Sequence, residues 1–381
     1  RPELLTHGID LRCVTVGKRE TNLVEADYID EGCILLAKDS NNIKKQSIAF
    51  VEWCEQEKID IVMAINSIAI LSALPHLPEH IRVISRCANG FDHGYKITLS
   101  CRERLSAIVA LTPKLQDDLI TRYGADPSII HLIPNGLDPN PFEKAAKSVR
   151  GEQTEIQLGF LGRLEHNQKG ALHIPEIVQE LNRLSVPFHL KIAGKGKHEN
   201  ALKKKLAHEI KNAQVEFMGA LGPKDVPNYL ATIDVFLFTS HFEGCPNALL
   251  EAMMAGCVPV SNLIEGTTDF IIEDGSTGYL CNVNNARSFS EKIAKLSANK
   301  VLLSEMSARV TNAARKRFTR ATAAQAYTEL IFDLLNIKAL HWSVRPWSEF
   351  KADPNFEHSY FEFVPKSLRV KIRTLIDQCI N

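Results

Sequence analysis

The strongest constraint on the fold is a regular alternation of short aliphatic runs and longer amphipathic stretches. The runs 59–64 and 235–239 have the length and composition of buried strands, whereas apolar residues in 43–57 recur at helical spacing. Repeated strand–helix units form mostly parallel sheets whose two faces are covered by helices. The alternation therefore predicts an α/β protein with doubly wound sheets.

The same pattern gives the individual elements, and Thr112 stands where it would cap the helix that begins at Pro113. Strands are predicted within 9–17 and at 34–37, 59–64, 81–84, 107–111, 129–133, 156–161, 189–193, 215–217, 235–239, 258–261 and 277–281. Helices are predicted at 43–57, 113–123, 172–184, 198–211, 227–231, 286–296, 304–318 and 321–337.

The alternation is interrupted at 134–138, where the sequence reads Pro-Asn-Gly-Leu-Asp and two further prolines follow. The segment is either an ordinary turn or a linker between two domains. Its position between two arrays of strand–helix units favours the linker. We therefore predict an N-terminal domain over 1–138, a C-terminal domain over 139–338 and a C-terminal tail over 339–381.

The composition fits this organisation, since 381 residues with 45% hydrophobic content suffice for two cores. Basic and acidic residues both number 45, so the net charge of zero gives no indication of a nucleic-acid partner. No apolar run reaches the roughly 20 residues that cross a bilayer. Nine cysteines without a C-x-x-C pair indicate thiols in a reducing compartment. We expect a cytoplasmic protein, with buried thiols at Cys33, Cys87, Cys257 and Cys281.

The most informative segment is 241–260, which follows a predicted strand. A glycine-bearing turn leads into a helix that Pro246 can start and Gly256 can end. Free N–H groups at such a helix start attract anions. The carboxylates of Glu243 and Glu251 would repel a phosphate and are better suited to accept hydrogen bonds from sugar hydroxyls. Taken alone, each has a simpler interpretation, because Glu243 could stabilise the helix dipole and Glu251 could be solvated.

The complete segment is more specific than either glutamate. Seven residues separate Glu243 from Glu251, and the words Glu-Gly-x-Pro-Asn, Glu-Ala-Met and Gly-x-x-Pro-Val occur in order. It resembles the E-x7-E segment of retaining glycosyltransferases of family 4, which have the GT-B fold of two Rossmann-like domains facing a cleft. The resemblance implies that Glu243 lies beside the donor sugar and that Glu251 binds ribose hydroxyls. It also implies donor contacts from the residues between them, Gly244, Cys245, Asn247 and Ala248.

A second segment, 159–170, ends a strand in a glycine turn that carries two basic residues. It resembles the G-R-L-x(n)-K-G segment of the same family. The resemblance assigns the donor diphosphate to Arg163 and Lys169, with Gly162 at the turn beside them. An Arg fork and a Lys charge can neutralise a departing phosphate. The alternative is that both basic side chains are solvated in a loop.

Three further segments match the family less well. Gly194 belongs to a G-x-G turn that lines the donor side in relatives, although a tight structural turn explains it equally well. Met218 lies in a segment resembling V-x-F-x-G, whose backbone frames the nucleotide base, and Phe217 beside it has packing as its simpler role. The loop 265–269 retains only Gly266 of the family's G-G-x-P-E and permits no inference about the donor.

Many members of the family have a histidine in the N-terminal domain that reaches the donor sugar. His93, in the loop after the strand 81–84, is the nearest candidate, although Arg86 or Asn89 could line the cleft instead. No D-x-D signature and no His/Cys cluster with zinc spacing is visible, so we expect neither a metal nor a separate cofactor. The predicted catalytic set is Glu243, Arg163, Lys169 and His93.

The resemblance implies a retaining hexosyltransferase that uses a nucleoside diphosphate sugar, a UDP or GDP sugar, as donor. The acceptor would be a glycan or a lipid-linked saccharide, as in cell-envelope polysaccharide synthesis. The departing phosphate would help to deprotonate the acceptor on the same face of the sugar. Two alternatives remain, namely another GT-B reaction such as that of a nucleotide-sugar epimerase or a phosphorylase, and a non-catalytic nucleotide-sugar-binding module.

The two ends of the chain give separate expectations. Family members usually begin with a strand and a glycine-rich loop, and neither precedes 9–17. We expect the native N-terminus to be missing, and the alternative is a degenerate first strand–helix unit. At the other end, 364–379 has apolar residues at helical spacing and basic residues on the other faces. Such a helix can contact an anionic membrane at the inner face of the cell membrane. It can also pack on the N-terminal domain, which the aromatic residues upstream favour.

Overall fold

The computed structural model describes residues 1–21, 26–146, 155–337 and 342–357, in which parallel strands alternate with helices. The strands are β1 (Val14–Val16), β2 (Ile34–Leu36), β3 (Ile61–Ala64), β4 (Arg82–Cys87), β5 (Ala107–Ala110), β6 (Ile130–Leu132), β7 (Ile156–Leu161), β8 (Phe188–Ala193), β9 (Val215–Gly219), β10 (Val235–Phe238), β11 (Val258–Asn262) and β12 (Tyr279–Cys281).

A short helix precedes the first strand, and the other helices fall between the strands or after the last one. The α-helices are α1 (Pro2–Leu5), α2 (Lys18–Thr21), α3 (Ala26–Asp30), α4 (Ile43–Gln56), α5 (Ile68–Ala73), α6 (Asp92–Thr98), α7 (Pro113–Thr121), α8 (Asn140–Ala146), α9 (Ile174–Arg183), α10 (Glu199–Lys205), α11 (Ala207–Lys211), α12 (Val226–Ala231), α13 (Asn247–Met254), α14 (Thr268–Ile271), α15 (Ala286–Ala298), α16 (Lys300–Arg317), α17 (Arg320–Asn336) and α18 (Pro354–Glu357). Short 3₁₀ turns occur at Leu74–His76, Arg102–Arg104, Pro127–Ile129, Ala171–His173 and Trp347–Glu349.

The N-terminal half contains a four-stranded sheet of order β3-β4-β5-β6 and a separate two-stranded sheet, β1-β2. Both sheets are parallel, and Ile84 of β4 pairs with Met63 on one side and Ala107 on the other. Helix α4 contacts both strands of the two-stranded sheet and also contacts α5. Its buried Ser47 hydroxyl donates to the Ala69 carbonyl at 2.7 Å, which fixes α4 on α5.

The C-terminal half is one six-stranded parallel sheet of order β12-β11-β10-β7-β8-β9. Its first strand, β7, is central, and Leu158 pairs with Leu190 on one side and Val235 on the other. All three side chains are fully buried, because helices cover both faces of a parallel sheet. The loops after β7, β8 and β10 therefore leave from one edge, where doubly wound sheets bind ligands.

The linker at 134–138 is held by the start of α17. The Leu137 N–H donates to the Phe318 carbonyl, and the Arg320 N–H donates to the Leu137 carbonyl, both at 2.9 Å. A side chain at Gly136 would lie 2.4 Å from the Thr319 carbonyl oxygen, so glycine allows this approach. The linker is thus a fixed connection rather than a loose tether.

The C-terminal end of the described chain returns to the N-terminal half. The guanidinium of Arg82 donates to the Ile337 carbonyl at 2.6 Å, just beyond α17. The segment 342–357 continues along the same half, where the Trp347 ring stacks on His76 with centroids 4.2 Å apart. The helix predicted at 364–379 lies outside the described residues. No helix in the described ranges is long and apolar enough to span a bilayer.

Most predicted elements agree with the structure, but four details were wrong. Several short helices, among them α5, α6 and α8, were not predicted, and α8 begins within the proline-rich break because Pro141 is tolerated in a first helical turn. The predicted helix 198–211 is divided at Leu206. Thr112 precedes α7 without capping it, and within the described chain its buried hydroxyl has no hydrogen-bond partner. Of the four thiols expected to be buried, Cys33 is only partly so.

Candidate active site

The carboxyl ends of β7 and β10 carry the two loops that form the site. Gln168 and Lys169 lie in the loop after β7, and Glu243 lies in the loop after β10. The His241 N–H donates to the Gln168 carbonyl at 2.7 Å, and the Thr239 hydroxyl donates to the Lys169 carbonyl at 2.8 Å. The two loops lie side by side because β7 and β10 are adjacent in the sheet, and these two bonds hold the loops together.

Lys169 and Glu243 form an ion pair at the centre of the site. Lys169 Nζ lies 2.6 Å from Glu243 Oε1, and Gln168 Nε2 donates to Oε2 at 3.2 Å. The Glu243 side chain is 8% exposed and that of Lys169 18%. Lys169 is therefore not a solvated loop lysine, and its charge is already held in place by the protein.

Arg163 lies at the exposed rim of the same loop, where its guanidinium donates to the Gln168 side-chain oxygen. Glu165 lies beneath this loop and accepts the N–H groups of Gln168 at 2.6 Å and Lys169 at 3.2 Å. Burial opposes ionisation of the Glu165 carboxyl, but these backbone bonds prevail and lower its pKa. The Glu165 carboxylate thus fixes the backbone from which Lys169 projects.

A cavity of about 390 Å³ lies between the two halves of the molecule at this point. The loops after β7 and β10 form its C-terminal wall, and the loop between β4 and α6 forms its N-terminal wall. The lining residues are Arg86, Ala88, Asn89, Gly90, Phe91, Leu111, Asn135, Gln168, Lys169, Glu243, Gly244, Cys245, Pro246, Asn247 and Ala248.

Two glycines allow the walls to touch beside Glu243. A Cβ atom on Gly244 would lie 2.1 Å from the Ala88 carbonyl oxygen. A Cβ atom on Gly90 would lie 2.8 Å from the Glu243 carbonyl oxygen. Real Cβ atoms do not approach backbone atoms so closely, so this contact between the walls requires glycine on each side.

Asn135 of the linker connects the walls through its side chain. Its Oδ1 accepts from the Arg86 guanidinium, and its Nδ2 donates to the Cys245 carbonyl at 3.2 Å and to Asn247 Oδ1 at 2.7 Å. Sequence reasoning gave Asn135 and Gln168 no role, although both fall inside segments that it singled out. Their function depends on partners far away in the sequence, which spacing alone does not reveal.

Helix α13 presents its N-terminus to the cavity. It begins at Asn247 after Pro246, and it ends before Gly256, whose φ of 83° suits glycine. The four residues that the resemblance places between the glutamates all line the cavity. Burial raises the pKa of the Cys245 thiol to about 11, so this thiol is neutral at pH 7 and is not a poised nucleophile.

Other predicted donor-binding residues are not among the described residues that line the cavity. Glu251 lies further along α13, where burial raises its pKa. A Cβ atom on Gly194 would lie 1.8 Å from the Gly162 carbonyl oxygen, so close packing of the two turns explains Gly194. Met218 is 39% exposed near the end of β9. Their contacts with a nucleotide remain predictions.

The structure places His93 in α6, beyond the loop that forms the N-terminal wall. Its ring stacks on Phe91, with centroids 6.5 Å apart, and His93 is not among the described residues that line the cavity. Arg86 and Asn89, the alternatives that the sequence offered, do line it. The N-terminal wall therefore brings these two side chains, rather than His93, to the cavity surface.

Three histidines that the sequence did not connect lie together beside the C-terminal wall. The rings of His166, His173 and His241 have centroids 5.0 to 5.2 Å apart. Burial and the neighbouring imidazoles lower the pKa of His166. The sequence shows no His/Cys cluster with zinc spacing, because the fold joins these residues from two loops that no local spacing relates.

Comparison with protein families identifies both halves of the chain. The model of Glycosyltransferase Family 4 matches residues 2–141, and the model of Glycosyl transferases group 1 matches residues 142–317. The two matches are contiguous and cover most of the sequence. The chain belongs to the family 4 glycosyltransferases.

Curated relatives include several glycosyltransferases. The chain is 26% identical over 304 residues to the Escherichia coli UDP-Gal:alpha-D-GlcNAc-diphosphoundecaprenol alpha-1,3-galactosyltransferase, with 73% of this chain and 76% of that protein covered. It is 26% identical over 176 residues to the Streptomyces kanamyceticus 2-deoxystreptamine glucosyltransferase, with 44% of this chain covered. The chain spans 45% of the length of that second relative.

Solved structures show the same architecture. A glycosyltransferase from Rickettsia africae superposes with a TM-score of 0.72 at 15% identity, covering 88% of this chain and 94% of that one. Anabaena Alr3699/HepE in complex with UDP superposes with a TM-score of 0.65 at 17% identity, covering 79% and 86%. At these identities the likeness shows the fold, and it confirms the GT-B architecture of two Rossmann-like domains.

Proposed function

We propose that this chain is a retaining hexosyltransferase that moves a hexosyl unit from a UDP sugar to a glycan or lipid-linked acceptor. The observation that carries the proposal is the Lys169–Glu243 ion pair, which faces a cavity between the halves of a GT-B fold. The E. coli relative is named for a UDP-Gal donor and a diphosphoundecaprenol acceptor, which supports this donor and acceptor class and a role in cell-envelope polysaccharide synthesis.

Positive charge for the donor diphosphate comes from the loop after β7 and from α13. Lys169 has three N–H donors and can contact a phosphate while it keeps its bond to Glu243. Arg163 adds a fork at the rim, and the N-terminus of α13 adds unpaired N–H groups. We propose that these groups stabilise the departing diphosphate without a divalent cation bound to it.

Glu243 is suited to orient the donor sugar. Among the described residues that line the cavity, it is the single carboxylate. Mechanisms with a separate acid and base, or with a protein nucleophile, place two carboxyl groups around the glycosidic bond. We therefore propose that the departing phosphate takes the acceptor proton on the same face of the sugar, which retains the anomeric configuration.

The proposal is tested by a thermal-shift screen of UDP, GDP and ADP sugars, followed by NMR of the product's anomeric proton. A ligand that binds the native state raises the melting temperature. We expect the largest shift with a UDP sugar, release of UDP, and the donor's anomeric configuration in the product. A product of inverted configuration would contradict retention. Conversion of the donor sugar without UDP release would indicate an epimerase, and binding without turnover would indicate a binding module.

We also propose that the enzyme works in the cytoplasm with peripheral contact to the membrane that holds a lipid-linked acceptor. The acceptor named for the E. coli relative and the basic amphipathic pattern of 364–379 support this proposal. Sedimentation with vesicles that contain anionic lipid, compared with zwitterionic vesicles, tests it. Equal recovery in both supernatants would contradict membrane contact.

A further inference from the structure

The histidine cluster lies where the two loops of the C-terminal wall meet. His166 comes from the loop after β7, His173 from the 3₁₀ turn that follows, and His241 from the loop after β10. Each offers one ring nitrogen, and the three nitrogen atoms lie within 4.8 Å of one another. All three residues are partly buried and lie outside the cavity lining described above.

The hydrogen bonds of two rings determine where their protons lie. The His241 Nδ1 atom lies 3.0 Å from the Asn167 carbonyl oxygen, and the His173 Nδ1 atom lies 3.4 Å from Glu176 Oε2. Carbonyl and ionised carboxylate oxygens only accept hydrogen bonds, so each Nδ1 carries the donated proton. In a neutral imidazole the other nitrogen, Nε2, then carries a lone pair.

The two Nε2 atoms face each other at 3.1 Å. Two lone pairs at this distance repel unless a positive species lies between them, either a proton on one ring or a metal cation. Ligands at about 2.0 to 2.1 Å around a tetrahedral zinc ion lie about 3.3 Å apart, close to the observed separation. The arrangement therefore fits one edge of a tetrahedral site.

His166 provides a third ligand beside this edge. Its ring lies 5.2 Å from that of His241 and 5.0 Å from that of His173, measured between centroids. Its buried Nδ1 atom has no hydrogen-bond partner anywhere in the described ranges. A buried polar atom without a partner is costly, and coordination of a cation would satisfy the ring.

We propose that His166, His173 and His241 bind a divalent transition-metal ion, for which Zn²⁺ is the natural probe. Imidazole nitrogen suits zinc and its first-row neighbours. Metal-bound histidines usually donate their other ring N–H to a carbonyl or carboxylate, as His241 does to Asn167 and His173 does to Glu176. Three protein ligands leave one position for water.

The role of this ion is to join the two loops of the C-terminal wall. His166 lies three residues before Lys169, and His241 lies two residues before Glu243. An ion held by both histidines fixes the relative position of the two loops and, through them, the ion pair. The site is structural, since its ligands are not among the described residues that line the cavity.

The test is equilibrium titration of the full chain with Zn²⁺ against a chromogenic chelator, with Co²⁺ absorption as a second probe of tetrahedral geometry. We expect one equivalent of Zn²⁺ to bind, and His241→Gln and His173→Gln each to weaken binding at least one hundredfold. His208→Gln is the matched control, because its side chain on α11 is 78% exposed and is not part of the triad, and it should bind like wild type.

Circular dichroism on each variant separates loss of the site from loss of folding. Zn²⁺ affinity unchanged in the variant with all three histidines replaced by glutamine would overturn the proposal. So would a folded wild-type chain that binds no Zn²⁺, because a shared proton would then hold the two rings together. UDP binding is measured separately, so a failure of the proposed transferase activity leaves the result for the metal unaffected.

Discussion

The two walls of the cavity differ in how their functional groups are held. On the C-terminal wall, Lys169 Nζ and Glu243 Oε1 form an ion pair at 2.6 Å. A backbone hydrogen bond from His241 to Gln168 holds together the two loops that carry them. On the N-terminal wall, the Arg86 guanidinium donates to the Asn135 side chain, which itself belongs to the linker, and it also interacts with Tyr327 of α17. Phe91 of that wall is 43% exposed. The first wall is ordered by its own domain, and the second is ordered by contact between domains.

This difference matches the demands of the two substrates. A diphosphate needs charges whose positions are set before it binds, because reorganising them during the reaction would raise the barrier. An acceptor needs a surface that can adjust to its shape. We therefore expect the C-terminal wall to control the chemical step and the N-terminal wall to control acceptor recognition, and the following substitutions test that division in order of expected effect.

The largest effect is expected for Lys169→Ala. Loss of one preorganised charge should slow transfer roughly one hundredfold or more. It also leaves the buried Glu243 without its partner, so the melting temperature should fall by several degrees. The double variant Lys169→Ala/Glu243→Gln should regain stability but not activity, since a neutral amide needs no counter-charge. A single variant that melts like wild type would contradict the buried pair.

Arg163→Ala should slow transfer by a comparable factor, roughly one hundredfold, without a change in stability. Its side chain is exposed and contacts only Gln168 among the described hydrogen bonds. Exposed substitutions usually change the free energy of unfolding by less than about 0.5 kcal/mol. Steady-state kinetics measures the expected loss of rate, and thermal melts of the same preparations measure the unchanged stability. Wild-type turnover in this variant would remove Arg163 from the diphosphate site.

Glu251→Gln should weaken UDP binding about tenfold, the scale of a lost charged hydrogen bond to a ribose hydroxyl. Burial raises the pKa of Glu251, so the wild-type chain loses stability as pH rises through that pKa. The glutamine variant avoids this loss and should melt higher at pH 7, with the difference vanishing below about pH 4. Calorimetry with undiminished UDP affinity would refute the ribose contact.

Substitutions on the N-terminal wall should have smaller effects on the rate. They test whether Asn89 or His93 contacts a substrate. Asn89 lines the cavity and His93 does not appear among its described lining residues. We expect Asn89→Ala to raise the KM for the acceptor several-fold and His93→Ala to change kcat by less than about threefold, because the partly buried His93 is not among the described lining residues. A loss of one hundredfold in kcat for His93→Ala would instead support direct contact of His93 with the donor sugar.

The smallest effect is expected for deletion of residues 364–381. The described segment 342–357 already packs on the N-terminal half through the stacked pair Trp347 and His76. Removing the following residues should lower the melting temperature by a few degrees if they continue that packing. A truncated chain that melts like wild type but no longer sediments with anionic vesicles would support membrane contact in place of packing.

The fold was predictable because alternation is a local property of the sequence. The strands around Ile84 and Leu158 read as uninterrupted aliphatic runs, since both faces of their sheets are buried. The short helices α5 and α6 were missed, because helices of one or two turns contain too few residues to show a helical periodicity. The GT-B expectation depended on the family motifs rather than on periodicity, and the family and structural comparisons confirm it.

The site was predictable only in part. Lys169 and Glu243 were named from their motifs, but their direct ion pair was not predicted. The motifs do not reveal that the loops after β7 and β10 are adjacent to each other. Burial of Lys169 also depends on that adjacency. The histidine cluster escaped for the same reason, since His166 and His241 come from loops joined only by the order of β7 and β10 in the sheet.

The contact between Gly244 and the Ala88 carbonyl has a consequence for the rate of turnover. Under the proposed function the donor would bind between these two walls, and domain movements that open such a cleft often limit kcat. Gly244 meets the Ala88 carbonyl through backbone atoms alone. No side chain has to be ordered at this point when the walls close, so the contact costs no rotamer entropy. The Gly244 contact therefore adds no side-chain ordering cost to closure, and the bonds that must re-form across the walls are those of Asn135.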